Sequence, residues 1–534
     1  MATRYWVGGA GTWDTTSTAN WSTTTGGASG ASAPTSADIA TFDANSGSGY
    51  TVTLSENISL SSFTANQAVN LTLNFVNYKM SIAGAGGIVF RSSVIEYLGT
   101  PVVELTYSGS VGTRTINPGA ATVVTNPPTF NIIAGTDIVG LTYTSGLKYN
   151  TVNFTGFSGT WILGASSNLN ILGDLILSSG MSVGSGAGLL IFSKPSGVQK
   201  ITTAGKAIDC PITVGAVGTT NTVQLQDNLT MGSTRIYTLT AGTLDLNNLV
   251  LSTGLFASNN SNIRTIDFKS GKLLLTAGNT GSTVLNMNNM TGFTYAGTSN
   301  IELNYSGATG TRVINMGVTA GVESNSLNIS VSAGTDIVTI VNGSTFKNLN
   351  FTGFAGSLSI NSRVIYGNLT ISSGMTVTAG TSATTFASTS GTQQITTNNV
   401  TLDFPLTFNG IGGTFAFQDA LTQGSTRAFT VTNGTVQLKN GVTSTVGAFA
   451  TSGTNQKFLQ STTPGSTATL SQASGTVNAS YLTIQDITAT GGAVWFAPVS
   501  QLNVDVSNND GWDFFIQLGQ YMYTRRKNKR LLIS

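Results

Sequence analysis

Histidine is absent from this chain of 534 residues, and cysteine occurs once. The first absence excludes Ser-His-Asp and Cys-His nucleophile arrangements and every imidazole metal ligand. The second excludes internal disulfides and thiolate metal clusters. Cys210 sits in Ile-Asp-Cys-Pro-Ile-Thr-Val, a setting that suits a small buried hydrophobe. Charge is scarce too: Asp, Glu, Lys and Arg make up 8% of the residues, against about 25% in ordinary soluble domains. Proline is limited to 10 residues, so rigid kinks are few. No run approaches the ~20 apolar residues of a membrane helix, so no membrane span is expected. The opening Met1–Trp13 lacks the apolar core of a Sec signal, which makes export by that route unexpected.

What is present is β-rich and repetitive. The chain is 40% hydrophobic, with 64 glycines, and its apolar residues come in short runs bounded by Gly, Ser and Asn. Such runs read as strands and turns. Thr243-Leu244-Asp245-Leu246 shows the period-two alternation of a half-buried strand. Two stretches are copies of each other. Val103–Gly109 matches Ile301–Gly307, Ala134–Val139 matches Ala333–Val338, and Asn153–Phe157 matches Asn350–Phe354. Ser178–Met181 matches Ser372–Met375, and Gln226–Arg235 matches Gln418–Arg427. The offset is 198 residues at Val103, 194 at Ser178 and 192 at Gln226. Small deletions are thus scattered between well-matched blocks, as expected where loops vary and packed strands do not.

These features predict an all-β fold: a right-handed parallel β-helix or β-solenoid with internal duplication and capped ends. An array of β-sandwich domains is the alternative. The expected organisation is an N-terminal capping or attachment section at 1–95 and solenoid copies at 96–295 and 296–475. A C-terminal cap at 476–513 and an apolar, then basic, tail at 514–534 complete it. Stacked Thr and Asn residues are expected to stabilise neighbouring coils, and with exposed aromatics they also offer groups that bind sugars.

Carboxylate chemistry is the catalysis that remains open, as in β-helical glycan depolymerases. Glu104, Asp137, Asp209 and Asp227 have acidic counterparts at Glu302, Asp336, Asp403 and Asp419. Arg114 and Arg235 recur as Arg312 and Arg427. Retention in both copies favours a structural role, because an active site is rarely needed twice along one stalk. Asp227 with Arg235, and Asp419 with Arg427, are the candidate turn braces. Asp505, Asn508, Asn509, Asp510 and Asp513 offer oxygen ligands to calcium, but their spacing follows neither the EF-hand loop nor the Gly-rich nonapeptide repeat, and an Asn/Asp turn is the expectation. No catalytic residue, metal ligand or cofactor is assigned.

Net charge is +2, of which Arg525, Arg526, Lys527, Lys529 and Arg530 supply +5. The rest is nearly neutral and has no basic face for nucleic acid. The basic run reads as a solvated tail or as a docking handle for an acidic partner subunit.

Tryptophans gather at the ends: Trp6, Trp13 and Trp21 at one, Trp495 and Trp512 at the other. The terminal rung of a solenoid has no neighbour to cover its core, so these are the cap candidates. The residues around them carry a resemblance. Trp6–Gly9, Trp13, Asn20-Trp21, Pro34, Asp38 and Asp43, with Thr490-Gly491-Gly492, Trp495 and Gly511-Trp512 at the other end, resemble the ends of bacteriophage tail-fibre-like and virion structural β-solenoid proteins. The resemblance covers roughly the first and last 50 residues. It implies a non-enzymatic virion protein, assembled in the host cytoplasm and exposed on the particle or its tail. The partners it implies are copies of the chain in a homotrimer, other virion proteins, and a host surface glycan or receptor. A capsid decoration or head fibre, a β-helical adhesin and a depolymerase tailspike are the alternatives.

Overall fold

The computed structural model describes residues 1–65, 70–90, 95–110, 112–117, 126–141, 148–164, 168–186, 188–278, 283–317, 323–518 and 521–525. The described chain is all-β, with short 3-10 turns as its only helical elements. Most strands have two to five residues. Their sequences explain them. Thr222–Leu225 buries Val223 and Leu225 and leaves Thr222 and Gln224 half-buried, the alternation of a strand with one face in a core. Corners follow where the backbone turns left-handed, as at Asn247 and Asn248 (φ 50° and 64°). Asparagine tolerates that conformation better than β-branched residues do.

Two compact units make up the chain. The first comprises Met1–Ala257, Asn262–Lys272 and Gly292–Thr298; the second comprises Ser258–Ser261, Leu273–Thr291 and Ser299–Ser534. In the first unit, one face stacks Ile39–Phe42, Ser62–Ala65, Ile88–Phe90, Thr113–Asn117, Ile138–Leu141 and Thr160–Leu163 as successive parallel neighbours. Ile138, Thr160 and Ser182 are register partners, so the coil advances 22 residues per turn there. It advances 28 between Ile88 and Ile116.

In the second unit, Thr311–Met316, Ile337–Ile340, Ser357–Ile360 and Thr376–Val377 stack in the same way. The duplicated blocks fold alike: the partners Thr113, Ile138 and Thr160 are matched by Thr311, Ile337 and Ser357. Leu406–Phe417 is longer and spans two faces, pairing with Thr384–Phe386 at its start and with Thr392–Thr396 at its end.

Parallel pairing between successive coils makes this a β-solenoid. Sandwich sheets are antiparallel, so an array of sandwiches does not fit. Antiparallel pairing does occur near the termini, where Trp6 partners Trp21 and Trp512–Leu518 pairs with Tyr521–Arg525. The core runs inside the coils and is filled by residues such as Leu225, Leu239, Phe351 and Ile395, all with no exposed surface. Each such side chain contributes about 1.5–3 kcal/mol on burial. Among the described residues, no helix is long and apolar enough to cross a membrane.

Candidate functional site

The duplicated charges define the candidate site, and it is made of staples. Thr113–Asn117 pairs with Ile138–Leu141 on the next coil, which sets Arg114 beside Asp137. Both side chains are completely buried. Arg114 Nε donates to Asp137 Oδ2 at 2.7 Å and Nη2 to Oδ1 at 2.8 Å, a two-pronged match. Nη2 also donates to the Ala134 carbonyl at 2.7 Å. The guanidinium lies 5.5 Å from the Tyr107 ring centre and 5.6 Å from that of Phe157, where the ring faces favour a cation. The second unit repeats the device. Arg312 donates to Asp336 at 2.9 and 2.7 Å and to the Ala333 carbonyl at 2.8 Å, between Tyr305 and Phe354.

This geometry explains the repeated Ala-Gly-Thr-Asp motif. Gly135 and Gly334 have φ of 108° and 105°, conformations that other residues rarely adopt. A Cβ on Gly135 would stand 2.5 Å from Arg114 Nη2 and 2.6 Å from Asp137 Oδ1. Glycine therefore supplies both the turn and the room for the guanidinium.

Asp227 and Arg235, placed together from their closeness in sequence, do not meet. Arg235 Nε donates to Asp209 Oδ1 at 2.8 Å, and Arg427 Nε donates to Asp403 Oδ1 at 2.6 Å. Asp227 instead accepts from the Thr203 amide and hydroxyl at 2.8 and 2.9 Å and from the Ala204 amide at 2.5 Å. Asp419 accepts likewise from Thr397 and Asn398. These bonds hold left-handed corners, since Ala204 has φ 51° and Asn398 φ 48°. All four residues are braces, but each reaches the preceding coil, 21 to 26 residues back. The Arg235 hydrogen bond holds the Asp209 carboxyl below the usual carboxylate range, against the opposing effect of burial.

The terminal tryptophans form two clusters. Trp6, Trp13 and Trp21 are at most 1% exposed. Trp21 lies 5.1 Å from both of the others, centre to centre, and Phe42 packs on Trp6 at 5.5 Å. Trp495 and Trp512 meet edge-on at 4.9 Å beside Phe449. The Asn/Asp segment forms a turn held by its own ladder. Asn508 donates to Asp486 at 2.8 Å, Asn509 donates to Asp505 at 2.7 Å, and Asn509 Oδ1 accepts from the Ile487 amide. No group of three acidic, Cys or His side chains converges as a metal site among the described residues. Arg525 closes the last described strand. Arg526, Lys527, Lys529 and Arg530 lie outside the described residues.

No known family, curated protein or solved structure matches this chain.

Sequence reasoning missed two further buried arginines, Arg264 and Arg363. Arg363 is 1% exposed and its guanidinium stands 4.6 Å from the centre of the Phe404 ring. It donates to the Asn361 carbonyl at 2.6 Å and to the Thr384 hydroxyl. Burial pushes its pKa well below the ordinary value. The two copies differ at this site. The 194-residue offset at Ser178 and Ser372 relates Leu169, Leu190 and Cys210 to Arg363, Thr384 and Phe404. Leu169 partners Leu190 as Arg363 partners Thr384. An apolar set in one copy is thus a cation, a hydroxyl and an aromatic face in the other. Comparing the two copies position by position exposes this signal, which no single motif carries.

Cys210 belongs to that apolar set. It is 3% exposed, and burial pushes its thiol up to about 12. The thiolate is the reactive form. Native protein should therefore leave Cys210 unmodified by iodoacetamide at pH 8, while denatured protein is labelled completely; equal labelling rates would refute the burial argument.

Proposed function

We propose that this chain is a structural β-solenoid of a bacteriophage particle: a tail fibre or fibre-like appendage that carries attachment to the host surface and performs no catalysis. The observation that carries this reading is the fate of the duplicated charges. Arg114 with Asp137, and Arg312 with Asp336, are spent inside the wall of the solenoid. Asp209, Asp227, Asp403 and Asp419 are spent on its corners. Duplicating such a unit adds braced length. The resemblance of both ends to virion structural proteins supports placing that length on a particle. Assembly as a homotrimer, anchored by other virion proteins, belongs to the same proposal.

Cryo-electron microscopy of particles with antibody labelling against the chain tests it. A thin projection that binds the antibody is expected, with mass photometry of the purified protein giving three times the 55.0 kDa chain mass. Particles devoid of the protein would end the fibre reading.

A further inference from the structure

Phe458 is the one exposed aromatic side chain among the described residues, at 39%. It breaks a column of threonines. Thr392, Thr414, Thr435, Phe458 and Thr483 are successive register partners in the second unit. The inward neighbours Val436, Leu459 and Ile484 are fully buried, so the ring stands on a rigid wall. A threonine would meet every local packing need at this position, as it does on both adjacent coils.

A second column runs beside the first. Gln437, Gln460 and Gln485 are register partners on the same three coils. Several other glutamine amides are engaged: Gln199 holds two carbonyls, Gln224 holds Asp245, and Gln423 holds two carbonyls. The amides of Gln437, Gln460 and Gln485 have no protein hydrogen bond among the described residues. Three amides without protein partners, about 4.8 Å apart along the stack, thus flank an exposed aromatic ring.

The outward positions of these strands carry no ionised group. Lys457 is buried, its ammonium held by the carbonyls of Gly453, Ser480 and Tyr481. Lys439 and Asp505, which lie beyond the three strands, have opposite signs. Such a surface attracts neither polyanions nor polycations. An aromatic face meets the electropositive C–H face of a pyranose ring. An amide both donates and accepts, as vicinal hydroxyls require.

From this geometry we infer that Phe458, with Gln437, Gln460 and Gln485, forms a binding strip for a neutral, hexose-based polysaccharide. The inference deepens the attachment reading above and rests on it for the location of the glycan on a host surface. The strip is flat, so a single strip binds weakly, and parallel copies on a particle supply avidity.

Affinity electrophoresis of the full chain, in native gels containing dextran, galactomannan, a β-glucan or dextran sulfate, tests the inference. At least one neutral polymer should retard the protein, and dextran sulfate should do so no more than dextran. Phe458→Thr, which restores the column residue, should weaken binding tenfold or more without moving the unfolding midpoint. Gln460→Ala should weaken it several-fold. No retardation by any neutral polymer overturns the inference, and so does equal retardation of wild type and Phe458→Thr. Sedimentation showing that Phe458→Thr dissociates an oligomer also overturns it, by making the face a protein contact. These outcomes are separable from the fibre reading. Particles lacking the protein end that reading and leave the strip standing; particles bearing a protein that binds no neutral polymer end the strip alone.

Discussion

Asp336→Ala lowers the stability of its surrounding coils by about 3–5 kcal/mol, the range for removing one partner of a buried ion pair. The side chains of Arg312 and Asp336 have no solvent contact. Removing the carboxylate leaves a guanidinium in the wall with only the Ala333 and Leu303 carbonyls and two ring faces. The double change Arg312→Met with Asp336→Leu should be far milder, because no charge is left unpaired. Asp403→Ala supplies the contrast. Its pair with Arg427 is a third exposed on the acidic side, and such a pair contributes about 0–1 kcal/mol. Solenoids unfold segment by segment, so hydrogen exchange at Thr311–Met316 and Ile337–Ile340 should accompany urea denaturation. Unchanged protection of both strands in Asp336→Ala would sink the staple argument.

Trp6→Ala is the second large effect, at about 3–5 kcal/mol for a buried tryptophan. Trp6 packs against Trp13, Trp21 and Phe42, and its Nε1 donates to the Gly9 carbonyl at 2.7 Å. It also carries the antiparallel pairing with Trp21 near the N-terminus. The loss therefore both opens a cavity and loosens the strand over the first coil. Near-ultraviolet circular dichroism should lose the coupled-indole signal, and exchange at Ile39–Phe42 should accelerate while Ile337–Ile340 keeps its protection. Protection lost evenly in both strands would mean that the cluster does not act as a local cap.

Much of this was legible in the residues, and the misses follow a rule. Gly-bounded runs with period-two alternation announced strands, the long duplicated unit pointed to stacked coils, and the structure has both. Arg114 and Asp137 were visible as duplicated residues but not as partners, because 23 residues separate them. Asp227 and Arg235 looked like partners because only eight residues separate them. In a coil that advances about one strand spacing per turn, the spatial neighbour of a side chain lies one turn back. Phe458 is an ordinary residue in Lys-Phe-Leu-Gln and becomes exceptional only beside Thr435 and Thr483 in register.

The sequence by itself determined the all-β class, the duplication, the apolar setting of Cys210 and the lack of histidine chemistry. Each is a matter of composition or of local period, since alternation and turn residues act over a few positions. Tertiary structure alone decided which charges meet, which glycines make room for a guanidinium, and which aromatic faces solvent. Those depend on register between coils, and register is set by the varying length of each turn, which local pattern does not encode.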